Sequence, residues 1–245
     1  MDRIPFLPEL PALGPSGSPH ETRANSILRP VVFGGNDGLV SNLALVMGVA
    51  GATAEPGIIV LAGIAGLLAG AFSMGVGEYI SVQSQRELLD YQLAFQRRQL
   101  RETPEQERQI LIDIYRERGF TDDEAGRFAD RVFAEDEHAT RLMIFEEVGL
   151  DARSIGSPMQ AGVGSFLAFT MGAAIPLIPY LVTSGAAAFF SSLVLSLVAL
   201  FLLGIGISTF THRSWVFSGT RQVLLGAIAA AVTYAVGTLI GVRAS

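Results

Sequence analysis

The chain has 245 residues, 50% of them hydrophobic, with a mean hydropathy of +0.44. That is too apolar for an ordinary water-soluble domain, and 17 of the 23 acidic residues fall between Glu87 and Asp151, so the pattern is that of an all-α membrane protein with one polar insertion. The net charge of −6 argues against nucleic acid and suits a cation, and the lack of cysteine excludes disulfides and thiolate metal sites.

Taken in order, residues 1–27 open with a proline-rich run, Pro5 to Pro11, that lacks the apolar core of a cleavable signal and reads as a mobile cytoplasmic tail. Five apolar segments are long enough for membrane helices: Pro30–Ala54, Gly57–Ser81, Gln160–Val182, Ala186–Thr209 and Val223–Val242. Short turns, Ala54 to Gly57 and Thr183 to Gly185, join the first to the second and the third to the fourth. Residues 28–85 therefore hold spans one and two, residues 86–156 the insertion, and residues 157–245 spans three to five.

The second span is expected to continue into the insertion as one long helix, since Leu88, Leu89, Leu93, Phe95 and Leu100 recur at helical spacing. Thr103 with Pro104 marks the next helix start, ending at Gly119. Thr121 to Glu124 forms a capping box that opens a last helix, predicted to run unbroken to Gly149. The insertion thus reads as a three-helix polar unit. In the third span, Pro176 and Pro179 free backbone carbonyls, which serves either a pathway or the shape of the bundle.

Arginine alone sets the topology, for there is no lysine. Three arginines precede span one, eleven lie in the insertion, two follow span four, the short turns have none, and Arg243 beyond span five is the single exception. The positive-inside rule puts the N-terminus, the insertion and the His212–Arg221 loop in the cytoplasm. The all-arginine, alanine-rich composition points to a bacterial inner membrane.

Asp37 and Glu78 are acids inside apolar spans that carry no Lys or Arg. A carboxylate in hydrocarbon costs roughly 2.5–3.5 kcal/mol even on the lenient insertion scale, so such groups usually handle a cation or a proton. The alternative is a neutral, hydrogen-bonded structural acid. Asp37 follows Arg29 by eight residues and Glu78 precedes Arg86 by eight, which puts the two at one depth. Met74 is one turn deeper than Glu78 and level with Ser41, with Asn36, Asn42 and Ser73 nearby. Carboxylate and amide oxygens beside one thioether suit Fe2+ or Mn2+ better than Ca2+. In the insertion, Glu102 and Glu105 cluster at one helix junction, Glu135 and His138 on the last helix have the spacing of a carboxylate–histidine metal motif, and Met143, Glu146 and Glu147 follow further along that helix; a solvated, salt-bridged face is the other reading. A membrane-anchored metal sensor without flux is the rival function. A di-iron oxidase would need a second Glu-x-x-His motif, which the sequence lacks.

The segments Phe33–Ala52 and Ala71–Arg86 resemble the first two helices of the vacuolar iron transporter family, and Ser157–Ala161, Gly172–Pro179 and Arg221–Gly241 are similar to its third and fifth. The resemblance implies a homodimer of five-helix protomers with an ion path on the two-fold axis. It also implies export of Fe2+ from the cytoplasm against protons, with Mn2+ and other divalent ions accepted as substrates and no resident cofactor. In that family an aspartate of the first helix and a methionine and glutamate of the second line the path, here Asp37, Met74 and Glu78. The family's insertion gathers metal on glutamates and methionines, a role carried over to Glu102, Glu105, Glu135, Met143, Glu146 and Glu147. After Ser84 and Gln85 this chain departs from the plant-type pattern, with only Glu87 and Asp90 to substitute for its glutamates.

Overall fold

The computed structural model describes residues 19–148, 156–211 and 213–244, and among them every regular element is helical. The order is α1 (Pro19–Ala52), α2 (Pro56–Glu102), α3 (Pro104–Glu117), α4 (Asp122–Val132), α5 (Asp136–Val148), α6 (Pro158–Ala174), a 3-10 turn (Ile175–Leu177), α7 (Ile178–Val182), α8 (Gly185–Thr211) and α9 (Trp215–Ala244). Five helical stretches are long and apolar enough to cross a membrane, as expected: Val32–Ala52, Pro56–Glu102, Pro158–Val182, Gly185–Thr209 and Trp215–Gly241.

Two boundaries differ from the sequence reading. Helix α1 starts at Pro19, so residues 19–27 are helical rather than tail; proline fits a first helical position because its φ is preset and its missing N–H has no partner there anyway. Residues 1–18 lie outside the described residues. The last span begins at Trp215, eight residues before Val223, because the apolar run Trp215–Phe217 joins the helix and Arg221 lies over the Phe217 ring. The guanidinium carbon stands 6.0 Å from the ring centre, a cation–π contact within the helix.

Helix α1 is the hub of the bundle, packed against α6, α9, α2 and α8. Small residues bring it there. A Cβ on Gly34 would lie 2.8 Å from the Ser165 carbonyl oxygen, and one on Gly38 would fall on the carbonyl of Phe169. Gly172 on α6 answers with the same fit against Gly35 and Leu39. At the other end Gly237 and Gly241 of α9 close on Gly48 and Ala52. In a membrane, where apolar side chains gain little by leaving lipid for one another, this close backbone approach is what holds helices together. The remaining core is Leu39, Leu43, Val46, Met47, Leu177, Tyr180 and Leu200.

The third span is broken where the prolines stand. Pro176 has no N–H to offer the Gly172 carbonyl, and the Ile175 N–H takes that oxygen instead, tightening the chain into the 3-10 turn. Two neighbours cap the break. Asn42 Nδ2 of α1 donates to the Ala173 carbonyl at 2.6 Å, and Ser192 Oγ of α8 donates to the Pro176 carbonyl at 2.6 Å.

Helix α2 runs 47 residues without interruption, as expected, into the polar insertion. The insertion's last helix is not continuous. The chain turns at Phe133, Ala134 and Glu135 and restarts as α5, without a glycine or proline to announce it. Packing decides this: the turn brings Met143 of α5 back onto a core of Leu111, Ile112, Tyr115, Ala125 and Ala129. The Thr121–Glu124 capping box forms as expected. Thr103 does not cap α3; its hydroxyl donates backwards to the Gln99 carbonyl at 3.2 Å.

Candidate functional site

A cavity of about 250 Å³ opens between α1, α2 and α6. It is lined by Asp37, Ser41, Asn42 and Leu45 from α1, by Gly66, Gly70, Ser73 and Met74 from α2, and by Phe169 from α6. Helical spacing explains the convergence. Asp37, Ser41 and Leu45 recur every fourth residue on one side of α1, and Gly66, Gly70 and Ser73 do much the same on α2. The glycines make the room: a Cβ on Gly66 would strike Leu45 and lie 3.1 Å from Asn42 Oδ1, and one on Gly70 would enter the Phe169 ring.

Asp37, Ser41 and Ser73 are exposed, Met74 is half-buried and Asn42 is 2% exposed. The cavity therefore offers one carboxylate, one amide oxygen, two hydroxyls and one thioether, a donor set that fits a divalent cation of borderline softness. Glu78 is half-buried and does not line it; it follows Met74 by one turn, about 6 Å along α2. Asn36 also stands apart from the lining, with Oδ1 buried and without a hydrogen-bond partner. Sequence reading did not anticipate the Phe169 wall. The spacing of Gly66 and Gly70 opposite the polar side of α1 signals an open space there but not the residue that closes it.

In the insertion, among the described residues, no three acidic, histidine or cysteine side chains gather. Met143 is fully buried in the apolar core, where its sulfur packs as a hydrophobe. Glu146 is taken by a cation already present. The Arg118 guanidinium donates to it through Nη1 at 2.8 Å and through Nη2, and the Tyr115 hydroxyl donates to its Oε1 at 3.1 Å. The same guanidinium lies 5.2 Å from the centre of the Tyr115 ring. Burial, reinforced by the Glu146 charge, pushes the Tyr115 hydroxyl up to about 12, and the bond to Glu146 raises Arg118 further above its ordinary value. Glu102 and Glu105 are exposed on either side of the α2–α3 joint, and Glu135 is exposed on the turn before α5. The side chains of His138 and Glu147 lie outside those described.

The family model of the VIT family matches residues 28–238, which takes in all five spans and the insertion. The chain belongs to the VIT family. VIT-family relatives include a protein named vacuolar iron transporter from Toxoplasma gondii, 29% identical over 90% of this chain and 76% of its own length. Vacuolar iron transporter 1 of Arabidopsis thaliana is 28% identical over 97% of this chain and 96% of its own length. A vacuolar iron transporter of Plasmodium falciparum is 30% identical, covering 87% of this chain and 82% of its own length. These relatives are transporters, not enzymes, and the cavity lies in the membrane part of a VIT chain.

Proposed function

We propose that this VIT-family protein is a secondary transporter that carries Fe2+, with Mn2+ and similar ions as further substrates, out of the cytoplasm in exchange for protons. The observation that carries the reading is the cavity: Asp37, Ser41, Asn42, Ser73 and Met74 face one space between membrane helices. Its mixed oxygen and thioether donors favour a first-row divalent cation over Ca2+, and the names of its relatives agree with iron. Asp37 must lose its proton to hold a metal, so metal arrival and proton departure are linked at one group. Glu78, a turn away along α2, is the next carboxylate for an ion leaving or entering.

An exposed Asp37 on a membrane helix needs cover, since lipid would leave its charge unsatisfied. A second copy of the chain set against the open side of α1 and α2 supplies it, and the working unit in this proposal is a homodimer. The arginines of the insertion and of the N-terminal segment support a topology with both on the cytoplasmic side, in this proposal that of a bacterial inner membrane. There the exposed Glu102, Glu105 and Glu135 raise the local cation concentration by steering rather than by chelation.

The test is a proteoliposome assay with a metal-sensitive dye outside and a pH dye inside, run across a panel of divalent ions. Asp37→Ala abolishes metal-driven proton movement while the protein still elutes as a dimer. Undiminished flux in that variant removes Asp37 from the path, and with it the reading of the cavity.

A further inference from the structure

Asn42 occupies a position that its role as one cavity-lining residue among nine does not explain. It is 2% exposed, and its two polar atoms point in different directions. Nδ2 donates to the Ala173 carbonyl at 2.6 Å. A carbonyl only accepts, so the amide orientation is fixed and the other atom must be Oδ1. Oδ1 is buried with no hydrogen-bond partner and lies beside Gly66, 3.1 Å from where a Gly66 Cβ would sit, both residues lining the cavity. A buried amide oxygen left unpaired costs about 1–3 kcal/mol, which a cation in the adjoining cavity would recover.

The opposite end of the amide holds a mechanically special place. Ala173 stands two residues before the 3-10 turn at Ile175–Leu177, and the middle of that turn, Pro176, is held by Ser192 from α8. Asn42 is thus the group that touches both the cavity and the break in the third span.

We infer that Asn42 couples the cavity to the broken third span: Oδ1 contributes an oxygen to the bound cation, and Nδ2 transmits its presence to the Ala173 carbonyl. A cation on Oδ1 draws electron density from the amide and makes the N–H a stronger donor, so a loaded cavity grips the N-terminal half of the third span more firmly than an empty one. The break at Ile175–Leu177 is where the span yields between the two conditions. This rests on the transport reading above, but its binding arm can be measured without transport.

Three variants separate the parts. Asn42→Leu removes both ends of the link, Asn42→Asp keeps an oxygen for the cation and loses the donor to Ala173, and Ser192→Ala loosens the break without touching the cavity. Mn2+ binding to detergent-solubilised dimer is followed by electron paramagnetic resonance, and Mn2+ uptake into proteoliposomes gives KM and maximal rate. Asn42→Leu weakens Mn2+ binding roughly tenfold or more, the usual cost of losing a metal-site partner. Asn42→Asp binds Mn2+ at least as tightly as the parent but turns over severalfold more slowly. Ser192→Ala leaves KM unchanged and alters the maximal rate alone. If Asn42→Leu does not fold, Gly66→Ala, which fills the space before Oδ1, takes its place in the binding arm. Parental Mn2+ affinity in Asn42→Leu, or in Gly66→Ala where that variant replaces it, overturns the ligand assignment. Parental turnover in Asn42→Asp overturns the coupling. An Asp37→Ala protein that binds and transports normally sinks the transport reading instead, whatever Asn42 does.

Discussion

Glu146 is the residue at which packing and metal chemistry make opposite forecasts. Its side chain is 1% exposed, whereas that of Arg118 is 41% exposed. Glu146→Ala removes two guanidinium bonds and the Tyr115 bond, and leaves the tyrosine hydroxyl under a half-wet arginine. Hydrogen bonds to charged groups contribute about 1.5–3 kcal/mol each, but Arg118 regains water on its open side, so a net loss of about 2–3 kcal/mol follows rather than the full sum. At roughly 2–4 °C per kcal/mol for a chain of this size, the melting midpoint falls by roughly 5–10 °C. Unfolding is followed by circular dichroism in mild detergent, alongside Mn2+ titration of the same samples. Arg118→Gln produces a comparable fall, because it strands the buried carboxylate. The reasoning is refuted if the Glu146→Ala midpoint stays put while Mn2+ sites disappear, for then the carboxylate was a ligand and its arginine partner incidental.

Tyr115 supplies a pH test. Its folded-state pKa lies above the unfolded value of 10, so its contribution to stability is complete below pH 10 and is lost as pH rises from 10 to about 12. Tyr115→Phe flattens that alkaline limb in pH-dependent denaturation, and an unchanged limb contradicts the burial argument. Two glycine substitutions separate close packing from helix propensity. Gly172→Ala sets a methyl against the backbone of Gly35 and costs about 1–3 kcal/mol, whereas Gly126→Ala meets nothing within 4 Å and stabilises by about 0.5–1 kcal/mol. Thermal midpoints shifting in the same direction for both would contradict the fit of α1 on α6.

The spans were legible because each is a long apolar run bounded by glycine, proline or charge, and hydrocarbon permits a lone segment little besides a helix. The capping box at Thr121 and the end near Gly119 were legible for a local reason, since both are written in adjacent residues. The break at Phe133–Glu135 was hidden because no residue there forbids a helix; only the pull of Met143 toward Tyr115 bends the chain. The same blindness hid the surroundings of Met143 and Glu146. Spacing put a thioether and a carboxylate on one helix, but could not show that one is core and the other is held by Arg118, just past the end of α3. For Asp37, Ser41, Asn42 and Met74 the two short-range facts, depth in the span and position on the turn, sufficed to bring them to one cavity. The cavity's shape was not legible, since Phe169 reaches it from more than ninety residues away.

The unbroken α2 carries a consequence of its own. Its 47 residues extend about 70 Å, and the stretch from Met74 to Glu102 alone is about 42 Å. A helix with no proline or glycine hinge past Gly77 behaves as a pushrod, so a rocking of about 5° pivoted at the cavity sweeps its far tip by about 4 Å. A sideways load on the remote arm of the insertion therefore acts through this lever at the cavity, and in the transport cycle proposed above a crosslink holding that arm would stop the rocking without any reagent entering the membrane.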